Sequence, residues 1–260
     1  DTPIVACYLA SDIHLRMDRP ERARRFARWV RQLEDDASLL VAGDLCDFWM
    51  VARQREKELM ESEGLGALAD FRARGGSLAI LPGNHDLWIC PFYERTLGAT
   101  LLREPYDTTV HGFRLHVVHG HLLGARRKWK GWMESREFKN AFELLPGPVA
   151  GLLGQLLERK NSSGLAADER RHLAVFRDYA AGLRGLADIV VIGHVHRAVD
   201  DSASDPRMIV LGGWQERSSY LKIDSTGASF HVVADEHQEN RSPAVVSRES
   251  SPSAPSCPTS

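Results

Sequence analysis

The chain has 260 residues, a formal net charge of −2, 43% hydrophobic residues and 26% charged residues. These values fit a single globular domain and exclude a global attraction to nucleic acid or to an anionic surface, so any such attraction would be local. Apolar runs all fall well short of the ~20 residues of a membrane-spanning helix.

Short β-branched runs recur along the chain, and each ends in glycine or polar residues, as buried strands do. The runs are Ile4–Leu9, Leu39–Ala42, Leu78–Leu81, Leu115–Val118, Ile189–Ile192 and Met208–Leu211. Helical patterns lie between several of them: one opens at Pro20 and another covers Leu165–Leu186. A Ser-Thr-Gly turn joins two later strands, Tyr220–Ile223 and Phe230–Val233, as a hairpin. This alternation predicts an α/β fold in which helices cover a central sheet.

Two segments depart from the alternation. Residues 122–160 show no strand signal, and their break at PGP predicts one or two helices inserted beside the sheet, as a cap over about 122–163. From 235 to 260 the chain is rich in serine and proline without periodic apolar residues, which predicts a disordered tail. One domain over 1–234 is therefore expected.

The compartment is predicted from the N-terminus and the cysteines. The stretch DTPIVACYLA lacks the basic region and the long apolar core of a signal peptide. The four cysteines show neither a CxxC pair nor the spacing of a disulfide framework. Reduced thiols in the cytoplasm are the simplest interpretation, and because the sequence does not begin with Met, a signal upstream of it stays an alternative.

Five polar clusters follow five of the predicted strands. They are SDIH with Asp12 and His14, GDLCD with Asp44 and Asp47, GNHD with Asn84, His85 and Asp86, HGH with His119 and His121, and GHVH with His194 and His196. Sites in open α/β sheets form at the carboxyl ends of the strands, so these clusters should converge in space. A single SDIH or HGH is a weak signal, whereas all five in this order are a strong one.

The side chains of these clusters suit a metal centre. Carboxylate, imidazole and amide oxygen are hard to intermediate ligands, which favours Mn, Fe or Zn over a soft, thiolate-bound ion. Two residues apart on an extended segment, His194 and His196 point to the same face. Seven such ligands exceed the needs of one ion, so the pattern predicts two divalent ions that share one carboxylate.

With these motifs, residues 11–196 resemble the calcineurin-like metallophosphoesterases. The resemblance implies a β-sandwich flanked by helices and a two-metal phosphohydrolase, with Mn²⁺ as the leading candidate and Fe or Zn as alternatives. It places Asp12, His14, Asp44 and His196 on one metal, and Asp44, Asn84, His119 and His194 on the other, with Asp44 bridging. It also implies that His85 contacts phosphate and assists the leaving group. In this mechanism Asp86 would orient His85 or a backbone turn.

The inserted segment is both basic and aromatic. Residues 126–142 contain six basic residues against two acidic ones, interleaved with Trp129 and Trp132. Basic side chains and tryptophans on a helix are typical of an element that lies on a membrane surface. Two other interpretations stay open: an apolar stripe that packs on the sheet with its charges in solvent, and a nucleic-acid-binding patch.

A narrower resemblance links residues 4–234 to the UDP-2,3-diacylglucosamine pyrophosphatases of lipid A synthesis, through SDIHL, GDLCDFW, NSS, HVHRA and LGGWQERSSYLKID. It implies hydrolysis of a UDP-linked diacylated sugar to UMP and a lipid monophosphate, with the insertion capping the acyl chains and helping the protein sit at the membrane. Asn161 and Ser162 become candidate substrate contacts, together with Trp129 and Trp132. The expected partner is then a phosphate-containing lipid or nucleotide sugar, and not a nucleic acid.

Two motifs depart from that narrower pattern. The chain has GNHD and HGH where those enzymes typically carry GNRD and HGD. An arginine fork can hold two phosphate oxygens, whereas His85 reaches less far but can donate a proton. The alternatives are therefore a related lipid or nucleotide phosphohydrolase, a nuclease, or a metal-containing scaffold whose insertion binds a partner protein.

Overall fold

The computed structural model of the chain describes residues 5–17, 19–47, 59–86, 89–124, 141, 144–145, 149, 165–215 and 218–233. Most of the insertion and the whole segment 235–260 lie outside these residues. The four candidate substrate contacts, Trp129, Trp132, Asn161 and Ser162, also lie outside them, and their roles stay predictions.

Strands account for most of the regular structure in the described residues. They are β1 (Ala6–Ala10), β2 (Ser38–Val41), β3 (Ser77–Ile80), β4 (Thr100–Leu101), β5 (Tyr106–Val110), β6 (Phe113–Val118), β7 (Ile189–Ile192), β8 (Val199–Asp201), β9 (Arg207–Val210), β10 (Ser219–Asp224) and β11 (Gly227–Val232). The helices are α1 (Pro20–Arg31), α2 (Glu63–Ala73), α3 (Cys90–Arg95) and α4 (Leu165–Ala181).

The strands form two mixed sheets. The first has the order β11-β10-β1-β2-β3-β4, in which β1 through β4 are parallel and β10 and β11 pair antiparallel at one side. The second has the order β5-β6-β7-β9-β8, with parallel β6, β7 and β9 between antiparallel edge strands. Both sheets therefore have parallel centres, whose strands end together at one edge.

The two sheets pack face to face, with helices on the outer faces. Alternation along β1 shows this directly: Tyr8 joins the core beneath α1 and α2, whereas Leu9 joins the core between the sheets. On the second sheet Val191 faces the inner core, whereas Ile192 packs with Phe176 of α4. The result is a layered α/β/β/α arrangement, in which nearly continuous apolar strands are buried on both faces.

Helix α1 shows why its sequence is helical and which face it buries. Pro20 lies at the first turn, Glu21 follows it, and Arg28 and Arg31 lie in the last turn, a charge order that matches the helix dipole. Residues three and four apart form the buried face, namely Ala23, Phe26, Ala27 and Val30. This face covers the first sheet, and α2 packs beside it in the same core.

The strand pattern predicted from the sequence is confirmed, and so is the hairpin of β10 and β11. The prediction of one central sheet is wrong, because the strands divide between two sheets; the β-sandwich implied by the family resemblance is confirmed. The predicted helix over Leu165–Leu186 ends at Ala181, immediately before Gly182. None of the helices within the described ranges is long and apolar enough to cross a membrane.

Candidate metal centre

The backbone beyond β1 and β2 stays paired, so the side chains that follow these strands are held in fixed positions. Asp12 N donates to Gly43 O at 3.0 Å, and His14 N donates to Asp44 O at 2.9 Å. Four cluster residues have left-handed backbones, with φ of 52° at Asp12, 48° at His14, 53° at Asp44 and 65° at His194. Non-glycine residues rarely adopt this region, and such strain concentrates at functional sites.

Hydrogen bonds between the two sheets join the clusters at one edge of the sandwich. His194 follows β7 in the second sheet, and its backbone N donates to Asp12 Oδ2 of the first sheet at 2.8 Å. His119 follows β6, and its Nδ1 lies 3.0 Å from Ala42 O in the first sheet. The clusters therefore converge where both sheets end.

One group of convergent side chains, here called the first half, consists of Asp12, His14 and His196. Nε2 of His14 lies 3.2 Å from Nε2 of His196, and these two nitrogens lie 3.7 Å and 3.8 Å from Asp12 Oδ1. Two imidazole nitrogens and a carboxylate oxygen that face one another at these distances can bind a common cation.

The second half consists of Asp44, His119 and His194. His119 Nε2 lies 3.3 Å from Asp44 Oδ2 and 3.4 Å from Asn84 Oδ1, so the asparagine belongs to the same side. Asp44 Oδ2 also lies 3.8 Å from His14 Nε2 of the first half. Asp44 is thus the carboxylate that lies between the two halves.

Glycines let the backbone come close to these carboxylates. A Cβ on Gly83 would overlap Asp44 Oδ1, and a Cβ on Gly43, where φ is +95°, would overlap the ring of His119. Only glycine avoids both problems at Gly43, the positive φ and the close approach. The glycines of GDLCD and GNHD are therefore part of how Asp44 and His119 are positioned.

The charges of the site are coupled through short contacts. Burial would raise the pKa of Asp44, but the imidazolium charges of His119, His85 and His14 hold it well below its ordinary value. Burial would lower the pKa of His119, but Asp44 and Asp12 raise it to about 10. Imidazolium and carboxylate neutralise each other here, so a cation that binds must displace a proton.

The donor set fits a pair of divalent cations. Asp12 Oδ1 is fully buried and accepts no hydrogen bond from the described residues. Burying a polar group without a partner costs about 1–3 kcal/mol, and more when the group is charged, so this oxygen suits a cation. The ligand atoms of each half lie within 4.8 Å of one another, and all are of the carboxylate or imidazole type. The combination suits Mn, Fe or Zn.

His85 lies beside the first half, in edge-to-face contact with the ring of His14. Its backbone N donates to Asp44 Oδ1 at 2.9 Å, and its Nδ1 lies 2.7 Å from Asp47 Oδ1. Burial lowers the pKa of His85, but Asp44 and Asp47 together raise it to about 9. Arg16 holds the other oxygen of Asp47 at 3.2 Å, so His85 is oriented by a carboxylate that is itself fixed.

Asp86 joins the turn after β2 to the turn after β3. Its carboxylate accepts hydrogen bonds from the backbone N of Leu45, Cys46 and Gly83 at 3.1–3.3 Å, and from the hydroxyl of Tyr93 at 2.7 Å. Of the two roles considered for Asp86, these contacts correspond to holding a backbone turn. They fix the spacing between Asp44 and Asn84.

Several residues that position the side chains of the site could not be identified from the sequence. Asp47 was noted only as part of its motif, and its partner Arg16 comes from the segment after β1. Tyr93 reaches Asp86 from α3. Near the second half, the ring of His172 in α4 lies 5.7 Å from that of His194. Only the polar DxxD spacing of the second cluster could have indicated one of them, because the others depend on tertiary packing.

A family model described as calcineurin-like phosphoesterase matches residues 7–198. A UDP-2,3-diacylglucosamine hydrolase from Aeromonas salmonicida is 30% identical over 231 residues, covering 81% of this chain and 87% of that protein. A protein of the same description from Hahella chejuensis is 25% identical over 236 residues, covering 84% of this chain and 93% of that protein.

Solved structures match at lower similarity. A dimetal phosphatase from Danio rerio is 14% identical with a TM-score of 0.41, covering 85% of this chain and 92% of its own. Wild-type Vps29 of Entamoeba histolytica, in complex with Zn²⁺, is 12% identical with a TM-score of 0.38, covering 88% of this chain and 98% of its own. The fold assignment therefore comes from the sheet topology and the family match, not from these scores.

Proposed function

This chain belongs to the calcineurin-like phosphoesterase family, and we propose that it is a dimetal phosphohydrolase whose substrate is UDP-2,3-diacylglucosamine or a close relative. The products would be UMP and 2,3-diacylglucosamine 1-phosphate. The observation that carries the proposal is the convergence of two ligand groups on either side of one buried carboxylate, Asp44.

Each half of the site would hold one ion. Asp12, His14 and His196 would bind the first, Asn84, His119 and His194 the second, and Asp44 would bridge them. Two such ions, with Mn²⁺ as the expected metal, supply a nucleophile from water near neutral pH and offset the charge of the phosphoryl oxygens.

The chain's own residues supply the proton chemistry and the positioning. Because Nδ1 of His85 is engaged by Asp47, Nε2 is the ring atom that can face the substrate. A protonated Nε2 can donate to the leaving oxygen or hold a phosphate oxygen. Asp47 favours the protonated ring and fixes its orientation, so it acts as a positioning residue.

Support for the lipid substrate comes from the relatives. Proteins described as UDP-2,3-diacylglucosamine hydrolases match more than four-fifths of this chain. The basic, tryptophan-bearing insertion supports a further proposal, that the protein associates with the membrane surface at its cytoplasmic face. Liposomes of anionic lipid should co-sediment with the unchanged protein and much less with a Trp129→Ala, Trp132→Ala double variant. Equal co-sedimentation of the two proteins would contradict a membrane-binding role of the insertion.

The substrate is tested by assaying the Mn²⁺-loaded protein against UDP-2,3-diacylglucosamine and bis-p-nitrophenyl phosphate in parallel. We expect turnover of both, with a much higher kcat/KM for the lipid, and loss of both after chelation of the metal. Turnover that survives metal depletion would contradict the mechanism. Hydrolysis of the nitrophenyl ester alone would support a phosphohydrolase activity but contradict the lipid substrate. Binding and cleavage of oligonucleotides that weaken with salt would indicate a nuclease. Hydrolysis of neither would favour a scaffold.

A further inference from the structure

Three arginines lie together at the border of the first half. Arg22 Nη1 donates to the backbone O of His14 at 2.8 Å, and Arg16 Nη1 lies 3.2 Å from Asp47 Oδ2. Arg19 lies between them in sequence and is exposed to solvent. These three residues, here called the arginine ledge, flank the segment that leads from His14 into α1.

Among the described residues, Arg16 of the arginine ledge pairs with the carboxylate of Asp47. Within the described part of the chain, neither Arg19 nor Arg22 forms an ion pair with a carboxylate, and Arg22 donates to a neutral carbonyl instead. The backbone N of Arg19 donates to Arg16 O at 3.4 Å, and Arg22 follows three residues later in the first turn of α1, so the three positive charges lie near one another. Like charges crowded in this way are stabilised when an anion binds between them.

The position of the arginine ledge indicates which part of a substrate it meets. Asp47 joins Arg16 of the arginine ledge to His85, the residue placed to assist the leaving group, through contacts of 3.2 Å and 2.7 Å. The arginine ledge therefore lies on the leaving-group side of the centre, next to the first half. A negative charge that develops on the leaving group would be close to the guanidinium groups.

We propose that Arg22 and Arg19 bind the departing phosphate of a substrate whose two halves are joined by a diphosphate. Hydrolysis breaks the bond between the uridylyl phosphorus and the bridging oxygen, and water supplies the oxygen that replaces it. The electron pair of that bond leaves on the bridging oxygen, and the protons of water pass to solvent. The departing phosphate monoester then carries up to two negative charges.

One histidine cannot bind all the charged oxygens of a departing phosphate. His85 can donate one proton, whereas a departing phosphate presents three oxygens that require charged donors. A guanidinium group offers a fork of N–H donors that matches two phosphate oxygens. An alkoxide or phenolate leaving group has no such oxygens, so the arginine ledge would select diphosphate-linked substrates over simple esters.

The inference rests on the proposed phosphohydrolase function, and a matched pair of substrates separates the two. UDP-2,3-diacylglucosamine and the p-nitrophenyl ester of UMP share the attacked uridylyl phosphorus but differ in the leaving group. We expect Arg22→Ala to lower kcat/KM for the UDP-linked substrate by roughly 10- to 100-fold, the loss expected of one charge-assisted hydrogen bond. Arg19→Ala should cause a smaller loss, and the nitrophenyl ester should lose at least several-fold less in both variants.

Two further variants guard against a merely structural effect. Arg22→Lys keeps the charge without the fork and should recover part of the loss, and millimolar guanidinium ion should partly rescue Arg22→Ala on the UDP-linked substrate only. Arg24→Ala is the matched control, because Arg24 lies on the same helix, is 53% exposed and pairs with Glu63. Equal losses on both substrates would overturn the inference, as would cleavage of the nitrophenyl ester without any cleavage of the diphosphate. If the protein without any substitution cleaves neither substrate, the proposed function itself is contradicted.

Discussion

The two halves of the candidate metal centre have similar ligands but different surroundings. In the second half the side chain of His119 is 0% exposed and is fixed at both ring nitrogens, by Ala42 O and by the oxygens of Asp44 and Asn84. In the first half the side chain of His196 is 28% exposed. Each half thus combines two buried ligands with one partly exposed histidine, His196 in the first half and His194 in the second, and the halves differ in how firmly the imidazole rings are held.

The charges around the halves differ as well. The first half borders His85 and the arginine ledge, which are positive. The second half borders His121 and Glu104, whose carboxylate holds the backbone N of Gly120 at 3.0 Å. Two ions with nearly the same ligands would thus experience different electrostatic fields. The second half, where His119 is fixed at both ring nitrogens, is suited to holding an ion firmly, and the first half to meeting a phosphate and its leaving group.

Removing the residue common to both halves should have the largest effect. Asp44→Ala is expected to lower kcat by about 1,000-fold or more, because both ions lose the shared ligand. His196→Ala should also abolish activity but release mainly one ion, since the second half stays complete. Metal content per chain, measured after dialysis, distinguishes the two. A His196→Ala protein that loses both ions would show that the halves do not bind independently.

Changing the leaving-group side should affect chemistry without affecting metal content. His85→Gln is expected to lower kcat for UDP-2,3-diacylglucosamine by about 100-fold or more, the usual contribution of a general acid. A nitrophenyl ester should lose less, because nitrophenolate departs without a proton. His111→Asn, in the exposed turn between β5 and β6, serves as the control. Equal losses on both substrates would argue that His85 holds phosphate and does not donate a proton.

The buried imidazoles should make the stability of the metal-free protein depend on pH. The folded-state pKa of His119 is about 10 and that of His85 about 9, both above the ordinary value of 6.5. A raised pKa contributes stability that is fully present below pH 6.5 and is lost as pH rises through the folded-state value. The free energy of unfolding should therefore fall by at least about 1 kcal/mol between pH 6.5 and 10.

Metal binding should show the opposite dependence on pH. Protons must leave His119 before it can bind an ion, so metal affinity should increase over the same range. Urea denaturation of the metal-free protein and titration calorimetry with Mn²⁺ measure the two trends. A smaller fall of stability with pH in His119→Gln than in the unsubstituted chain would assign part of the effect to the second half. Unchanged behaviour in this variant would assign it elsewhere.

The smallest effect is expected at Asp86, which joins the turn after β2 to the turn after β3. Tyr93→Phe removes one hydrogen bond to Asp86 and should destabilise the metal-free protein by about 1 kcal/mol. Tyr106→Phe is a suitable control, because the Tyr106 hydroxyl forms no hydrogen bond within the described residues. Since Asp86 spaces Asp44 from Asn84, Tyr93→Phe should weaken ion binding in the second half more than in the first half. The reverse order would contradict this role.

The elements that could be predicted from the sequence are those whose pattern is local. Apolar runs such as Ile189–Ile192 are short and end in glycine or polar residues, which favours buried strands, and polar residues directly after them are then expected at a sheet edge. Division of the strands between two sheets followed only from the family resemblance, because in the strand pattern itself each run fits either sheet equally well. Helix α2 was missed because Gly64 and Gly66 interrupt its apolar pattern, although Gly64 allows close contact with Leu15.

In the candidate site, too, some features could be predicted from the sequence and others could not. The convergence of the five clusters followed from their places after strands, and the individual ligand roles stay predictions. The pairing of Asp47 with His85 and Arg16, and of Tyr93 with Asp86, could not be predicted from one sequence. These contacts join residues that are distant in the chain, and their positions depend on how the loops after β1, β2 and β3 pack together.

The buried oxygen of Asp12 has a consequence for the protein in the cell. Without a cation the folded chain buries a carboxylate oxygen that accepts no hydrogen bond from the described residues, and it holds four left-handed residues; both features lower its stability. An ion that binds only the folded chain increases stability by mass action. Unfolded chains are removed by proteases, so the cellular half-life of this protein should follow the supply of its metal. Scarcity of the ion would then reduce the amount of enzyme as well as its activity.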